Sequence, residues 1–209
     1  MAISPLSLQT NYQTGGVFTS ADKIMKQESN VEQVCAIENI KGSTCTFKMA
    51  GGEFCGNACR AVAEFMRKNY GFEKSKIMIN GIEVQATSNG ETSQIIIAKK
   101  DLVKEITPVQ CVFMNGITHI IIPEEVGDAL GVMFVKENKI NPFVLVPKAK
   151  TFFNETACLS GSIATALVLG GTKIAQPTNE TYSIEIDETE IKARGKVAFL
   201  YEKKITMLV

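Results

Sequence analysis

Short stretches in the first half of the chain alternate between apolar and polar residues, the pattern of a strand with one buried face. Residues 31–38 (VEQVCAIE) and 43–49 (STCTFKM) alternate in this way and predict one strand each. Residues 76–86 and 91–99 predict a hairpin joined through residues 87–90, because Asn-Gly in that link supplies the positive φ angles of a tight turn.

The spacing of apolar residues becomes helical after Gly56. From Ala58 to Met66 apolar residues recur at intervals of three or four, and charged residues occupy most of the positions between them. The spacing predicts a helix from Gly56 to about Asn69, and Gly71 is the residue expected to end it.

The second half of the chain repeats this order of elements. The predicted elements are strands over residues 110–123 and 141–147, a short helix over 124–131, a helix over 161–169, and a closing hairpin over 182–193 and 196–202. No residue between Thr156 and Thr172 is charged, so the second long helix is expected to be enclosed by sheet on every side.

The repeated order predicts an internally duplicated α+β protein. Residues 82–86 resemble residues 189–193 at an offset of 107, and two cysteines described below are 103 residues apart. The expected architecture is a pair of lobes, each a mixed sheet wrapped round a central helix. We expect the N-terminal lobe to span residues 1–105 and the C-terminal lobe to span residues 106–209.

Composition narrows the class of partner. The chain has 209 residues, of which 45% are hydrophobic, and its 22 basic and 22 acidic residues are interspersed. Since no block of one charge is present, neither nucleic acid nor an anionic membrane is an expected partner. The expected partner is a small molecule. No basic leader and no apolar run of roughly 18 residues is seen, so a cytoplasmic location is expected.

Six cysteines are more consistent with reduced thiols than with a disulfide framework in a chain without an export signal. They are Cys35, Cys45, Cys55, Cys59, Cys111 and Cys158. Cys55 and Cys59 lack the spacing of a zinc-knuckle pair, and His119 is the only histidine, so no metal is expected. The other cysteines outside the two helix starts are expected to pack in the core.

Cys55 and Cys158 each stand where a glycine-containing loop turns into a predicted helix. A helix N-terminus presents unpaired N–H groups and partial positive charge, so it favours both a carboxylate and a thiolate, and it is expected to lower the pKa of a thiol. If both helices point at one cavity, one thiolate could remove the α-proton of a free amino acid while the opposite thiol delivers another. No cofactor is required by this scheme.

The segments GGEFCGNACR and ETACLSGSIA resemble the two active-site motifs of the diaminopimelate epimerase superfamily, which comprises cofactor-independent amino-acid racemases and epimerases. Residues 114–119 extend the resemblance to the strand that opens the family's second half. The resemblance implies a pseudo-twofold pair of α/β lobes with the active site between them. The wording MAGGEFCGNA resembles the divergent branch that includes histidine racemases.

The resemblance also implies roles for individual residues. It makes Cys55 and Cys158 the base and acid pair, and it puts His119 near the cleft. The residues that would line the substrate carboxylate are Gly56, Asn57, Ser160 and Gly161. Ala149, Lys150 and Thr46 stand where the family holds the remote groups of diaminopimelate, which argues against that substrate.

Two departures from the family's motifs leave other functions open. Leu159 replaces the glycine usual after the second cysteine, and Ile117 replaces an asparagine. One alternative is therefore an inactive amino-acid-binding protein of the same fold, and another is an isomerase that uses a carboxylate such as Glu53. Glu53 and Glu155 are either exposed loop acids or contacts for a substrate ammonium. The apolar strands would permit a homodimer.

Overall fold

The computed structural model of the protein describes residues 6–9, 24, 31–106, 110–114, 117–121 and 127–200. The elements of the first half are β1 (Leu6–Gln9), β2 (Gln33–Lys41), β3 (Thr44–Met49), α1 (Gly56–Tyr70), β4 (Lys74–Ile79), β5 (Ile82–Ser88), β6 (Thr92–Ala98) and α2 (Lys99–Leu102). Those of the second half are β7 (Gln110–Met114), β8 (Ile117–Ile121), β9 (Leu130–Lys136), β10 (Lys139–Val146), β11 (Thr151–Asn154), α3 (Leu159–Leu169), β12 (Lys173–Ala175), β13 (Thr181–Ile186) and β14 (Glu190–Lys196).

Twelve of these strands form one mixed sheet. Its order is β1-β2-β3-β4-β5-β6-β14-β13-β12-β10-β11, and β9 also pairs with β10. The remaining two strands, β7 and β8, pair only with each other among the described strands. Strands of both halves of the chain are therefore neighbours in a single sheet.

The expected pseudo-twofold pair of lobes, each with its own sheet as in a diaminopimelate epimerase-like fold, is wrong. β6 pairs with β14 along its whole length, with Ile97 opposite Ile191 and Ile95 opposite Ala193. If β6 were an unpaired edge strand, its outer backbone N–H and C=O groups would lack hydrogen-bond partners. Strand β14 supplies those partners. The division of the chain at residue 105 stays a prediction.

One hydrophobic core follows from this continuity. It includes Ile77 and Ile97 from the first half and Ile184 and Ile191 from the second, each at most 1% exposed. Burial of such a side chain contributes about 1.5–3 kcal/mol to stability. The core therefore joins both halves beneath the two long helices.

Helix α1 confirms the helix predicted from the spacing of apolar residues. Its buried face carries Ala58, Val62 and Met66, and it packs on β4, β5 and β6. The helix ends at Gly71, whose φ of 76° is left-handed and whose N–H donates to the carbonyl of Arg67. Glycine is favoured there because a Cβ atom would strain this conformation.

Helix α3 begins at Leu159, two residues before the predicted start, and it is not enclosed on every side. Ile163 and Ala166 are buried, whereas Val168 and Leu169 are 66% and 64% exposed. An apolar pattern without a polar face does not show which side is covered, and the last residues of the helix are exposed. The expectation of complete enclosure is wrong.

Two predicted strands are hairpins. Residues 76–86 fall in β4 and β5, which turn at Asn80 and Gly81 with φ angles of 51° and 78°. Residues 182–193 fall in β13 and β14, so the closing strand is β14, and the described residues 197–200 form no strand. The missed turn at Asn80 has an Asn-Gly signal of its own. The predicted β5–β6 hairpin is confirmed.

Residues 124–131 were expected to form a short helix. Residues 124–126 lie outside the described residues, and residues 127–131 are not helical, since strand β9 begins at Leu130. Residues 110–123 were expected to form one strand and instead contain two, β7 and β8, with residues 115–116 and 122–123 outside the described part.

None of the helices in the described ranges combines the length and apolar character needed to cross a bilayer.

Candidate active site

Cys55 and Cys158 are the N-cap residues of the two long helices. The Cys55 Sγ accepts a hydrogen bond from the N–H of Ala58 at 3.3 Å, and the Cys158 Sγ accepts one from the N–H of Gly161 at 3.4 Å. Their φ angles of −130° and −136° are nearly equal. Each thiol thus occupies the same position at its helix start, where the backbone donors are unpaired.

Both cysteines line one cavity of about 330 Å³, and each is 5% exposed. The other lining residues are Gln33, Gly52, Glu53, Phe54, Asn80, Asp128, Ala129, Gly131, Met133, Val144, Glu155 and Ser160. The volume suits a small ligand. Residues from both halves of the sequence therefore surround one small site.

The two helix starts are in contact through Leu159. A Cβ atom added at Gly56 would lie 3.0–3.2 Å from three atoms of the Leu159 side chain, which is 1% exposed. The absence of a side chain at Gly56 therefore leaves room for leucine at position 159. This packing accounts for the residue that departs from the family's second motif.

Asn57 joins the two cysteine motifs. Its amide Nδ2 donates to the carbonyl of Ala157 at 2.9 Å, and its Oδ1 accepts from the Tyr182 hydroxyl at 3.1 Å. The side chain expected near the substrate carboxylate is thus bonded to the residue before Cys158 and to β13. Arg60, one turn later in α1, lies over the Tyr182 ring at 4.8 Å and extends this anchoring.

The remaining predicted site residues differ in their surroundings. The Ser160 hydroxyl lies 3.5 Å from the Cys158 Sγ and faces the cavity. A Cβ atom at Gly161 would collide with Met133 and lie 3.2 Å from the same sulfur. His119 lies in β8 opposite Val112, and its side chain is outside the described residues.

Gln33 is a cavity residue that sequence reasoning missed. The Cys55 thiol donates to its Oε1 at 3.1 Å, and its Nε2 donates to Glu155 Oε1 at 2.6 Å. Gln33 is a polar position in an alternating strand, which by itself indicates a solvent-facing side chain. Its role depends on Glu155, 122 residues away, and no local pattern encodes that contact.

Burial raises the pKa of both cysteine thiols. Desolvation is the largest cause at Cys55 and at Cys158, and the charge of Glu155 raises both further. The helix N–H groups of Ala58 and Gly161 lower the pKa of these thiols by less than burial raises it. The expectation that the helix starts bring the thiols toward neutrality is therefore wrong for the protein by itself.

The cavity is lined by two carboxyl groups, of which Glu155 is buried and Glu53 is half-buried. Burial is the largest cause that raises the pKa of Glu155, to about 7, and that of Glu53. One oxygen of each, Oε2, has no hydrogen-bond partner within the described part of the chain. Neither is the exposed loop acid that the sequence left open. A cationic ligand group would satisfy both oxygens.

Metal ligation is not indicated by the residues that the structure describes. No group of three or more His, Cys, Asp or Glu side chains among them is arranged to hold a metal ion. Asp128, at the cavity edge, instead forms a salt bridge with Lys148. The polar groups available in the cavity are therefore thiols, carboxyls, amides and a hydroxyl.

Comparison with known proteins was made for sequence and for structure. Residues 8–111 match the family model for the N-terminal domain of the histidine racemase CntK. Two curated relatives, both histidine racemases from strains of Fusobacterium nucleatum subsp. nucleatum, are 27% and 28% identical. The alignments cover 85% and 88% of this chain, and 86% and 85% of the relatives.

Two of the structural neighbours carry the name of phenazine biosynthesis proteins. A PhzC/PhzF protein from Clostridium difficile (strain 630) has a TM-score of 0.56 at 10% identity, over 97% of this chain and 92% of that one. A PhzF-family protein from Enterococcus faecalis has a TM-score of 0.52 at 13% identity, over 91% and 87%. They show a PhzC/PhzF-like fold in place of the expected pseudo-twofold pair of lobes.

These findings define the protein as an isomerase of the amino-acid racemase class. The resemblance of its first cysteine motif to the histidine-racemase branch is confirmed, because the matched family model spans residues 51–60.

Proposed function

We propose that the protein is a cofactor-independent racemase that inverts the α-carbon of a free amino acid, with Cys55 and Cys158 as the two acid–base groups. The observation that carries the proposal is that two cysteines, each an N-cap, line one small cavity. A thiol on either side of a bound Cα could exchange protons with it from opposite faces.

In the proposed reaction the substrate carboxylate lies against the two helix starts. One cysteine, as thiolate, takes the α-proton while the Cα–H electron pair moves toward the carboxylate. The other cysteine, as thiol, then donates its proton to the opposite face of Cα. The first is left as thiol and the second as thiolate, so the roles exchange for the enantiomer.

The negative charge that develops on the substrate carboxylate is the main obstacle in this reaction. Backbone N–H groups at the starts of α1 and α3 are fixed donors in a buried site, where such hydrogen bonds are strong. Loss of one donor from comparable sites costs about 3–4 kcal/mol of transition-state stabilisation. Cys55, Cys158 and Ser160 line the cavity at the two helix starts, so a carboxylate bound in the cavity would lie beside these N–H groups.

The substrate itself supplies a charge that the thiolate needs. Burial raises the pKa of both thiols, so a thiolate in this cavity requires a positive partner. The α-ammonium of an amino acid provides one beside the thiolate. Glu53 and Glu155, each with an unpartnered buried oxygen in the described residues, can accept its N–H groups.

Histidine is the first candidate substrate. The relatives at 27–28% identity are histidine racemases, and a side chain that becomes cationic suits a cavity lined by two carboxyls. Diaminopimelate is disfavoured because Ala149, Lys150 and Thr46 replace the residues expected to hold its remote groups.

The test is racemisation of a panel of L-amino acids by the purified, reduced protein, followed by chiral chromatography without added pyridoxal phosphate. We expect D-histidine to form, and Cys55→Ala and Cys158→Ala each to lower the rate by at least about a thousandfold, as for loss of other essential acid–base groups. Cys59→Ala, one turn along α1 and outside the cavity lining, is the matched control and should stay active.

Racemisation that survives in both cavity variants would overturn the two-thiol mechanism. It would favour the alternative in which a carboxylate such as Glu53 is the base. No racemisation of any amino acid by the unsubstituted protein would overturn the proposed activity itself.

A further inference from the structure

The Gln33 side chain forms hydrogen bonds with two groups of the proposed site. Its carbonyl oxygen accepts from the Cys55 thiol at 3.1 Å, and its amide nitrogen donates to Glu155 at 2.6 Å. Glu155 in turn lies close enough to Cys158 for each group to change the other's pKa. A single side chain at the start of β2 thus connects the cysteine of α1 to the environment of the cysteine of α3.

We propose that Gln33 is a positioning residue that links the two thiols: its oxygen orients the Cys55 thiol, and its nitrogen holds the ionised Glu155 carboxylate beside Cys158. The proposal rests on the function proposed above and assigns Gln33 and Glu155 a joint role in it. An amide suits this position, because it offers an acceptor to the Cys55 thiol and a donor to the Glu155 carboxylate.

Glu155 is the group through which Gln33 acts on the second thiol. The carboxyl is buried, at 3% exposure, and its own N–H donates to the carbonyl of Pro142, which fixes the backbone. Its charge complements a substrate ammonium only when the carboxyl is ionised. A donor at 2.6 Å favours that form, so Gln33 keeps Glu155 ionised at a lower pH than burial alone would allow.

The groups around Glu155 all bear on this equilibrium. Burial is the largest cause and raises the pKa of Glu155, and the negative charges of Glu32 and Glu53 raise it further. Hydrogen bonds from the Cys158 thiol and, next in size, from the Gln33 amide lower the pKa. Removal of Gln33 therefore shifts the ionisation of Glu155 upward, since no other side chain in this set would replace the lost donor.

The experiment compares Gln33→Met with Gln85→Met, a matched control on the exposed face of β5. Gln33→Met keeps the length of the side chain and removes both hydrogen bonds. We expect kcat/KM for the amino acid that the unsubstituted protein racemises to fall about tenfold to a hundredfold in Gln33→Met. This is the range for loss of a hydrogen bond to a charged group. The acid limb of the pH profile of kcat/KM should move to higher pH, and the control should change neither.

A merely structural role would lower activity without moving the acid limb, and that result would overturn the proposal. Activity within twofold of the unsubstituted enzyme would overturn it as well. In a Glu155→Gln background, Gln33→Met should no longer shift the profile; a shift that persists would show that Gln33 does not act through Glu155. Should Gln33→Met fold poorly, Gln33→Glu keeps the size and should shift the limb the same way.

A readout without turnover separates this proposal from the proposed function. The carbon-13 carboxyl resonance of Glu155, assigned by its loss in Glu155→Gln, should titrate near pH 7 in the unsubstituted protein and at higher pH in Gln33→Met. An unchanged titration would overturn the link between Gln33 and Glu155. Absence of racemisation together with a shifted titration would overturn only the proposed function.

Discussion

At the scale of single residues, the site combines groups that are unstable in their charged forms. The pKa values of the Cys55 and Cys158 thiols and of the Glu155 carboxyl are all raised, chiefly by burial. Backbone N–H groups and Gln33 act against burial at these positions but do not outweigh it. The protein therefore holds the two thiols neutral until a charged substrate changes their surroundings, whereas Glu155 titrates near neutral pH.

Glu155→Gln should stabilise the fold at alkaline pH. The pKa of this carboxyl is about 7 in the folded protein, against an ordinary value of 4.5. The contribution of the protonated carboxyl to stability is therefore fully present below about pH 4.5 and is lost as the pH rises through 7. Glutamine removes this loss and can still accept the bond from Gln33.

The expected gain in the free energy of unfolding is up to about 3 kcal/mol at pH 8.5 and near zero at pH 4.5. Urea unfolding of both proteins at the two pH values measures it. An equal difference at both pH values, or a loss at pH 8.5, would contradict the argument.

At the scale of elements, the site depends on two helix starts that touch. Leu159 fills the space above Gly56, and Asn57 bonds to the carbonyl of Ala157. The apolar contact and the hydrogen bond hold each cysteine at a fixed place relative to the other motif. Leu159, which stands where the resembled motif has glycine, therefore packs its side chain into the space left by the missing side chain of Gly56.

Leu159→Ala should destabilise the protein by about 2–5 kcal/mol, because it leaves a cavity where a side chain was 1% exposed. Leu169→Ala on the same helix is the matched control: its side chain is 64% exposed, and the expected change is within about 0.5 kcal/mol. Thermal and urea unfolding provide the measurement. Equal effects of the two substitutions would show that Leu159 does not support the helix starts.

The start of α1 could be predicted from the sequence, whereas several strand boundaries could not. A helix begins where apolar spacing changes and a capping residue precedes it, and both signals lie within a few residues of Cys55. The turn at Asn80 was missed although Asn-Gly marks it, because Ile77, Met78 and Ile79 are all apolar and do not define which face of β4 is buried. The shift of the buried positions from odd numbers in β4 to even numbers in β5 is therefore hidden, and the turn residues are the clearest signal.

At the scale of the whole molecule, one sheet brings the two halves of the chain together. β6 and β14 pair although nearly a hundred residues separate them, and such pairing leaves no local signature. The same holds for Gln33 and Glu155, whose contact was not predicted. The duplicated cysteine motifs were visible in the sequence, but the continuity of the sheet was not. Cytoplasmic location and homodimer formation stay predictions.

The convergence of both halves on one cavity is also the basis of the proposed chemistry. Cys55 comes from the first half and Cys158 from the second, and both line that cavity. Two separate acid–base groups on opposite faces of Cα have an isotopic consequence that a single group does not: the hydrogen removed from one face is not the hydrogen delivered to the other.

The most direct test is racemisation of L-histidine by reduced protein in heavy water, stopped at low conversion and analysed by mass spectrometry of the separated enantiomers. We expect the D-histidine formed to carry deuterium at Cα and the remaining L-histidine to carry almost none. D-histidine that retains the original α-hydrogen would contradict two-sided proton transfer by Cys55 and Cys158.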